Sequence, residues 1–329
     1  MSLLVTRYLL DDRVNWGIVV GTPPSSHDDL VEIRRLNIDA QSTAELIETI
    51  ESKKAAAQQS STIKISANQM LSPITGDSTI ICQGLNYSDH AAEAQHHARK
   101  QNLFFAKASS SITGAFGAIK RPDEVHLLDY EVEFGIVLRR GIDRKITVTT
   151  AELGSYVAGV VLANDVSARD VMFGASFLQW FQGKSYRTFC PLGPVLCLME
   201  REEVAEVLAN LEIKLWVNGE LRQSATSSQL IFGPAETITH VSGVLDLKKG
   251  DVILTGTPGG VTAAATPKLI EILKTHLLAD SVRREELTAE MVKGRPFLKP
   301  GDVIKATLRD VSTGRALGGM ENAVVADES

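Results

Sequence analysis

From Thr79 onward the sequence is a succession of short β-type runs broken by glycines and prolines, with few stretches long enough for a helix. That punctuation favours a β-rich α+β protein over a doubly wound sheet, which needs a helix after nearly every strand. Nucleotide-binding folds have no anchor either, since neither a G-x-G-x-x-G nor a G-x-x-x-x-G-K-[ST] turn occurs. Upstream, RYLLDDRVNWGIVVG (7–21) sets two apolar runs around Asp11-Asp12-Arg13 and reads as a hairpin. Residues 41–59 read as a helix, with Ser42 and Thr43 as candidate caps and Leu46, Ile47 and Ile50 on one side. These features predict a small N-terminal module, residues 1–75, and a larger domain, residues 76–329.

Two helical stretches interrupt the larger domain. One runs from Ser88 to Asn102. The other covers about 265–294, where Thr266-Pro267 forms a cap and first turn, Leu269, Ile270, Leu273 and Leu277 make a stripe, and Gly294 is a stop. This latter stretch reads as an inserted helical hairpin. A stripe at helical spacing usually finds a core, so a packing element or subunit contact is preferred to a catalytic lid.

With 329 residues, 44% of them hydrophobic and 22% charged, the chain can bury a sizeable core. Its net charge of −6 and the lack of a lysine or arginine cluster exclude a nucleic-acid partner. Cys82, Cys190 and Cys197 are odd in number and show no C-x-x-C spacing. Neither a disulfide framework nor a thiolate zinc site is expected, and a reducing cytosol fits. No run reaches the roughly 18 apolar residues of a membrane span. The opening MSLLVTRYLLDDR is broken by Arg7 and Asp11, so a soluble, cytoplasmic protein is expected.

The chemistry concentrates in DYEVEFGIVL (129–138), where Val132, Phe134, Ile136 and Leu138 alternate with Glu131, Glu133 and Gly135. Period-2 alternation puts Glu131 and Glu133 on one face, roughly 7 Å apart. Alone, such a pair is most simply a solvated strand face. A second acidic element changes that balance: the apolar run VAGVVLAN ends at Asn164-Asp165, where a buried strand end delivers a carboxylate to a site. Three carboxylates without a cysteine cluster describe a hard-cation site, Mg²⁺ first, with Mn²⁺ or Ca²⁺ as alternatives and zinc the weaker choice.

In GLNYSDHAAE (84–93), a helix starting at Ser88 brings His90 and Glu93 together at i and i+3. The carboxylate then orients the imidazole, which is free to take a proton from water. The bland reading is a surface pair; another uses His90, Glu93 and His97 as metal ligands but leaves Glu131 and Glu133 without a role. Lys107 in NLFFAKASSS and Lys184 in FQGKSYRTFCPLGP lie in apolar surroundings, where a lysine either snorkels or serves a site. Thr257 lies in VILTGTPGG, a turn suited to a carboxylate or simply a tight turn.

The motifs GLNYSDHAAE, FFAK, DYEVEFGIVL, NDVSARD, GKSYRTFCPLGP, TGTPGG, FLKPGD and GGMEN, in this order over about residues 76–329, resemble the fumarylacetoacetate hydrolase family. The resemblance implies a mixed β-sandwich roll, a homodimer, and Mg²⁺ or a similar cation on Glu131, Glu133 and Asp165. It further implies His90 and Glu93 as the water-activating dyad, Lys184 facing the reacting centre, and Lys107, Arg169 and Thr257 contacting the substrate. Two departures stand out. Met172 replaces a glutamine common in the family, which points to a less polar substrate, and Arg187 stands where many members have an aspartate.

Breaking a carbon–carbon bond needs an electron sink, and a metal chelated by a β-diketo or 2-oxo acid supplies one by stabilising the enolate. The sequence expectation is a hydrolase of an acylpyruvate or fumarylacetoacetate-like β-diketo acid. Alternatives are a 2-oxo acid decarboxylase, an isomerase or hydratase of an unsaturated 2-oxo diacid, and a non-catalytic interaction module.

Overall fold

The strand Val132–Leu138 is buried along its whole length, because it runs through the middle of a large mixed sheet covered on both faces. The computed structural model describes residues 2–52, 59–87, 101–263 and 266–327. In spatial order the sheet comprises Gln59–Ser66, Leu30–Leu36, Arg13–Val19, Leu3–Leu10, Cys190–Leu198, Val157–Asn164, Val132–Leu138, Val252–Leu254, Ile80–Gly84 and Leu103–Lys107. Val252–Leu254 and Ile80–Gly84 are parallel, and Ile112–Gly114 runs parallel to Cys190–Leu198 off the main path. A second sheet orders Glu220–Thr226, Leu211–Val217, Val303–Asp310, Arg315–Ala326 and Ile119–Arg121.

Alternation decides what each face buries. Phe134, Ile136 and Leu162 of the large sheet share a core with Ile213, Leu215, Leu308 and Met320 of the second. On the opposite face Val137, Val161, Leu254 and Ile80 pack with Leu46 and Ile47 of the helix Thr43–Glu51. The result is the β-rich α+β sandwich roll that the sequence predicts.

Several local readings hold and others shift. Leu3–Leu10 and Arg13–Val19 form the expected hairpin, with Leu10 opposite Arg13. Asp11 and Asp12 take φ of 51° and 57°, as a tight two-residue hairpin turn demands. Ser42 caps its helix by accepting from the Glu45 amide at 3.2 Å. That helix ends at Glu51, short of the predicted 59, because Ile63 and Ile65 fit a half-buried strand opposite Ile33 and Val31. The segment read as one strand over 129–138 divides: Leu128–Asp129 pairs with Ser167–Ala168, and Val132–Leu138 with Val157–Asn164.

The stretch around 265–294 contains two helices, Pro267–Thr275 and Asp280–Met291. Thr266 caps the first, accepting from the Leu269 amide at 3.2 Å. Leu269, Ile272, Leu287 and Met291 form a small core with Leu127. Leu277, placed on the stripe by the sequence, lies beyond the first helix and is exposed. Among the described residues, no helix is long and apolar enough to cross a membrane.

Candidate active site

The ends of two central strands fix the acidic residues through backbone bonds. Val132 lies opposite Asn164; the Asp165 amide donates to Glu131 O at 2.8 Å, and the Glu131 amide donates to Asn164 Oδ1 at 2.9 Å. Because Val132, Phe134 and Ile136 enter the inter-sheet core, Glu131 and Glu133 face the other way. One oxygen from each of Glu131, Glu133 and Asp165 lies within 4.8 Å of the others. All three residues are buried, at 7%, 1% and 0% exposure. Three carboxylates cannot stay ionised there without positive charge.

Three cations answer them. Lys184 Nζ donates to Glu131 Oε2 at 2.8 Å and to Asp165 Oδ2 at 2.7 Å. Lys107 Nζ donates to Asp165 Oδ1 at 2.6 Å and Val166 O at 3.3 Å. Arg169 Nε donates to Asp129 Oδ2 at 2.9 Å. Its Nη2 stands 2.6 Å from Glu131 Oε1 and 2.9 Å from Asp129 Oδ2, close in distance but off the N–H directions. Asp129 also accepts from the amides of Thr262 and Ala263, which ties the turn after TGTPGG to the site.

Four carboxylates thus face three cations, and the excess negative charge falls on Glu133, whose donor among the described residues is the Gly256 amide at 2.7 Å. Burial pushes the Glu133 carboxyl well above its ordinary range; Asp165 and Glu131 add to the rise, while Lys184 and the Gly256 amide oppose it. Burial disfavours the charged form of Lys184, yet Asp165 and Glu131 outweigh it and hold the ammonium above its ordinary pKa. Arg169 is raised in the same way by Glu131 and Asp129 against its own burial.

The donor set fits a divalent cation, being all oxygen, buried and one charge short of balance. Thiolates do not compete, because burial pushes the Cys190 thiol up to about 12 and raises Cys82 as well.

Thr257 Oγ1 donates to Val132 O at 2.9 Å and accepts from Gln223 Nε2 at 2.8 Å, anchoring its turn beside Glu133. Gly256 is required there: φ is +92°, and a Cβ would stand 2.9 Å from both Asn86 Cβ and Gln83 O. Met172 is buried, its sulfur 4.0 Å from Arg169 Nη1, while Arg187 is exposed. The structure therefore brings together Glu131, Glu133, Asp165, Lys107, Lys184 and Arg169, with Thr257 at the edge. His90, Glu93 and His97 lie outside the described residues.

Sequence reasoning missed Asp129, Gln223 and Tyr87. Asp129 precedes Glu131 by two residues, a spacing that could have flagged it. Gln223 gave no signal, since it comes from the second sheet and reaches the site only through sheet stacking. Tyr87 is buried, its hydroxyl has no partner among the described residues, and burial together with the Glu133 charge raises its pKa.

Comparison with known proteins agrees with this geometry. The family model described as fumarylacetoacetate (FAA) hydrolase C-terminal matches residues 79–325. A Bos taurus protein named oxaloacetate tautomerase FAHD2B, mitochondrial, is 40% identical over 216 residues, 65% of this chain and 67% of the bovine one. A crystal structure of a probable 2-hydroxyhepta-2,4-diene-1,7-dioate isomerase from Mycobacterium abscessus superposes with a TM-score of 0.72 at 26% identity, covering 100% of both chains. A fumarylacetoacetate hydrolase from Exiguobacterium antarcticum gives 0.69 at 26% identity, covering 98% of this chain and 99% of that one. With the motif order, the fold and the buried acidic triad in accord, the chain belongs to the fumarylacetoacetate hydrolase family.

Proposed function

We propose that this protein catalyses cation-assisted enolisation of a small 2-oxo dicarboxylic acid, as a tautomerase or double-bond isomerase. The observation that carries the reading is the Lys184 ammonium shared between Glu131 and Asp165 inside the buried acidic triad. Glu131, Glu133 and Asp165 would hold a divalent cation, which would supply the electron sink for a 2-oxo acid.

The chain's own residues supply the rest. Lys184, held protonated by its acidic neighbours, donates its proton to the carbon next to the carbonyl, and the amine left behind takes the proton released from the enol hydroxyl, so that the same turnover restores the ammonium. Tautomerisation moves one proton between carbon and oxygen, so no water or leaving group is needed. Lys107 and Arg169 add the positive charge that a second carboxylate seeks, and Thr257 with Gln223 holds the turn beside Glu133. The names of the bovine relative and the M. abscessus isomerase support this class. The three buried free thiols suit a reducing compartment, either cytosol or the mitochondrion named for the bovine relative.

Hydrolysis of a β-diketo acid is the alternative reading, favoured by His90 and Glu93 at the spacing of a water-activating dyad. Enol absorbance of oxaloacetate and of an acylpyruvate, followed with Mg²⁺ and then EDTA, separates the two when NMR identifies the products. Mg²⁺-dependent enol loss with oxaloacetate intact, abolished in Lys184→Met, is the expected result. Release of two acids from the acylpyruvate, lost in His90→Ala, would replace it with the hydrolase. Carbon dioxide evolution would mean a decarboxylase.

A further inference from the structure

Lys184 and Arg169 approach the carboxylates from the two ends of one segment, residues 169–184, built of the helices Arg169–Gly174 and Trp180–Lys184. Helices of six and five residues do not hold themselves. Between them Phe177 and Leu178 take φ of 54° and 61°, a conformation that side chains with a Cβ adopt only where the surroundings over-determine it. Packing fixes one side of the segment: Trp180 stands edge-on to Phe105 and Phe173 at 5.3 and 6.1 Å, and Lys184 Nζ lies 5.2 Å from the Phe105 ring centre.

The other side is fixed from the inserted hairpin by Arg283. Its side chain, on helix Asp280–Met291, is fully buried. Nε donates to Phe173 O at 2.8 Å and Nη2 to Ala175 O at 2.6 Å, at the end of the Arg169–Gly174 helix. Nη1 donates to His276 O at 2.7 Å and to Leu277 O, just past the helix Pro267–Thr275. Asp280 pairs with Nη2 at 2.9 Å and also takes the Ser176 hydroxyl. One guanidinium therefore closes the carbonyl ends of two helices, where a cation is most favourable.

We propose that Arg283 is a positioning residue: through it the inserted hairpin sets where Lys184 and Arg169 stand against the carboxylates. The inference rests on the proposed role of Lys184. It also separates two properties of the site. Glu133 lies in the strand Val132–Leu138, and Glu131 and Asp165 are tied at the strand ends by backbone bonds that do not involve the clasp. Loosening it lifts Lys184 and Arg169 from Glu131 and Asp165, which impairs proton transfer and leaves those oxygens freer for a cation.

The test compares full-length wild type with Arg283→Gln, Arg283→Lys and the milder Ser176→Ala. Amide hydrogen exchange is followed on metal-free protein without substrate, Mn²⁺ binding by electron paramagnetic resonance, and kcat and KM on the substrate that wild type turns over. In Arg283→Gln, exchange over residues 170–184 should quicken about tenfold while Val132–Leu138 and Val157–Asn164 keep their protection. Its kcat should fall by about 10²-fold, and KM should rise because Arg169, which the second carboxylate seeks, is displaced together with Lys184. Its Mn²⁺ affinity should hold or rise. Arg283→Lys should recover part of kcat, and Ser176→Ala should show the same changes in miniature, which keeps the test alive if Arg283→Gln does not fold. Faster exchange over 170–184 with wild-type kcat would overturn the proposal, as would equal loss of protection in loop and strands. If wild type turns over no substrate, the enolisation reading fails, while exchange and Mn²⁺ affinity still decide whether the hairpin places the two cations.

Discussion

The two halves of the site are built differently. Its carboxylates sit at the ends of Val132–Leu138 and Val157–Asn164, central strands buried on both faces and locked by ladder bonds. Of its cations, Lys184 and Arg169 come from a strained segment of two very short helices, held from outside by Arg283. A buried sheet can hold repelling charges at short range because its backbone has no alternative pairing. The segment bearing the counter-charges has no such ladder, so its charges depend on side-chain packing to stay in place. On the proposed reading, the acidic half would supply the cation site and the basic half would set what that site does.

The sharpest way to break this contrast is Asp165→Ala. It removes the carboxylate paired with Lys107, leaving that buried ammonium without a counter-charge while Lys184 keeps Glu131, so stability should drop by about 3–5 kcal/mol in guanidinium unfolding, with loss of turnover. Lys184→Met changes the basic half alone: kcat should fall by about 10²–10⁴-fold while Mn²⁺ titration shows equal or tighter binding. Glu133→Gln should act in the opposite sense on stability. It removes the uncompensated charge, so the metal-free protein should melt about 2 °C higher in calorimetry and lose Mn²⁺ binding.

The smallest effect is expected outside both halves, at Glu321 in the second sheet. Burial raises its carboxyl, but the Ser26 hydroxyl, Lys305, the His27 amide and the His27 ring outweigh that and bring it from 4.5 to about 2. Since the folded pKa lies below the unfolded one, its stabilisation is complete above pH 4.5 and fades as the pH falls toward about 2. Glu321→Gln should cost about 1 kcal/mol at neutral pH, flatten that acid limb in urea titrations and leave kcat unchanged.

What could be read from the sequence was whatever is written in local spacing. The E-x-E alternation placed Glu131 and Glu133 on one face, and the abrupt end of an apolar run put Asp165 beside them. Ser42 and Thr266 announced their helices, and Asp11-Asp12 announced its turn. A pattern with a period of two or 3.6 residues is a statement about neighbours in the chain, and the chain alone enforces it.

Other features have no period. Lys107 meets Asp165 across 58 residues although three strands lie between Leu103–Lys107 and Val157–Asn164 in the sheet order. Gln223 crosses from the second sheet to Thr257, and Arg283 reaches over 110 residues to the Phe173 carbonyl. The sequence by itself determined the β-rich character, the faces of the central strands and the cluster of acidic residues at their ends. Only the tertiary structure decided which cations answer them, because a buried charge is partnered by whatever the packing of distant elements brings within hydrogen-bond reach, and backbone carbonyls such as those gripped by Arg283 carry no residue code at all.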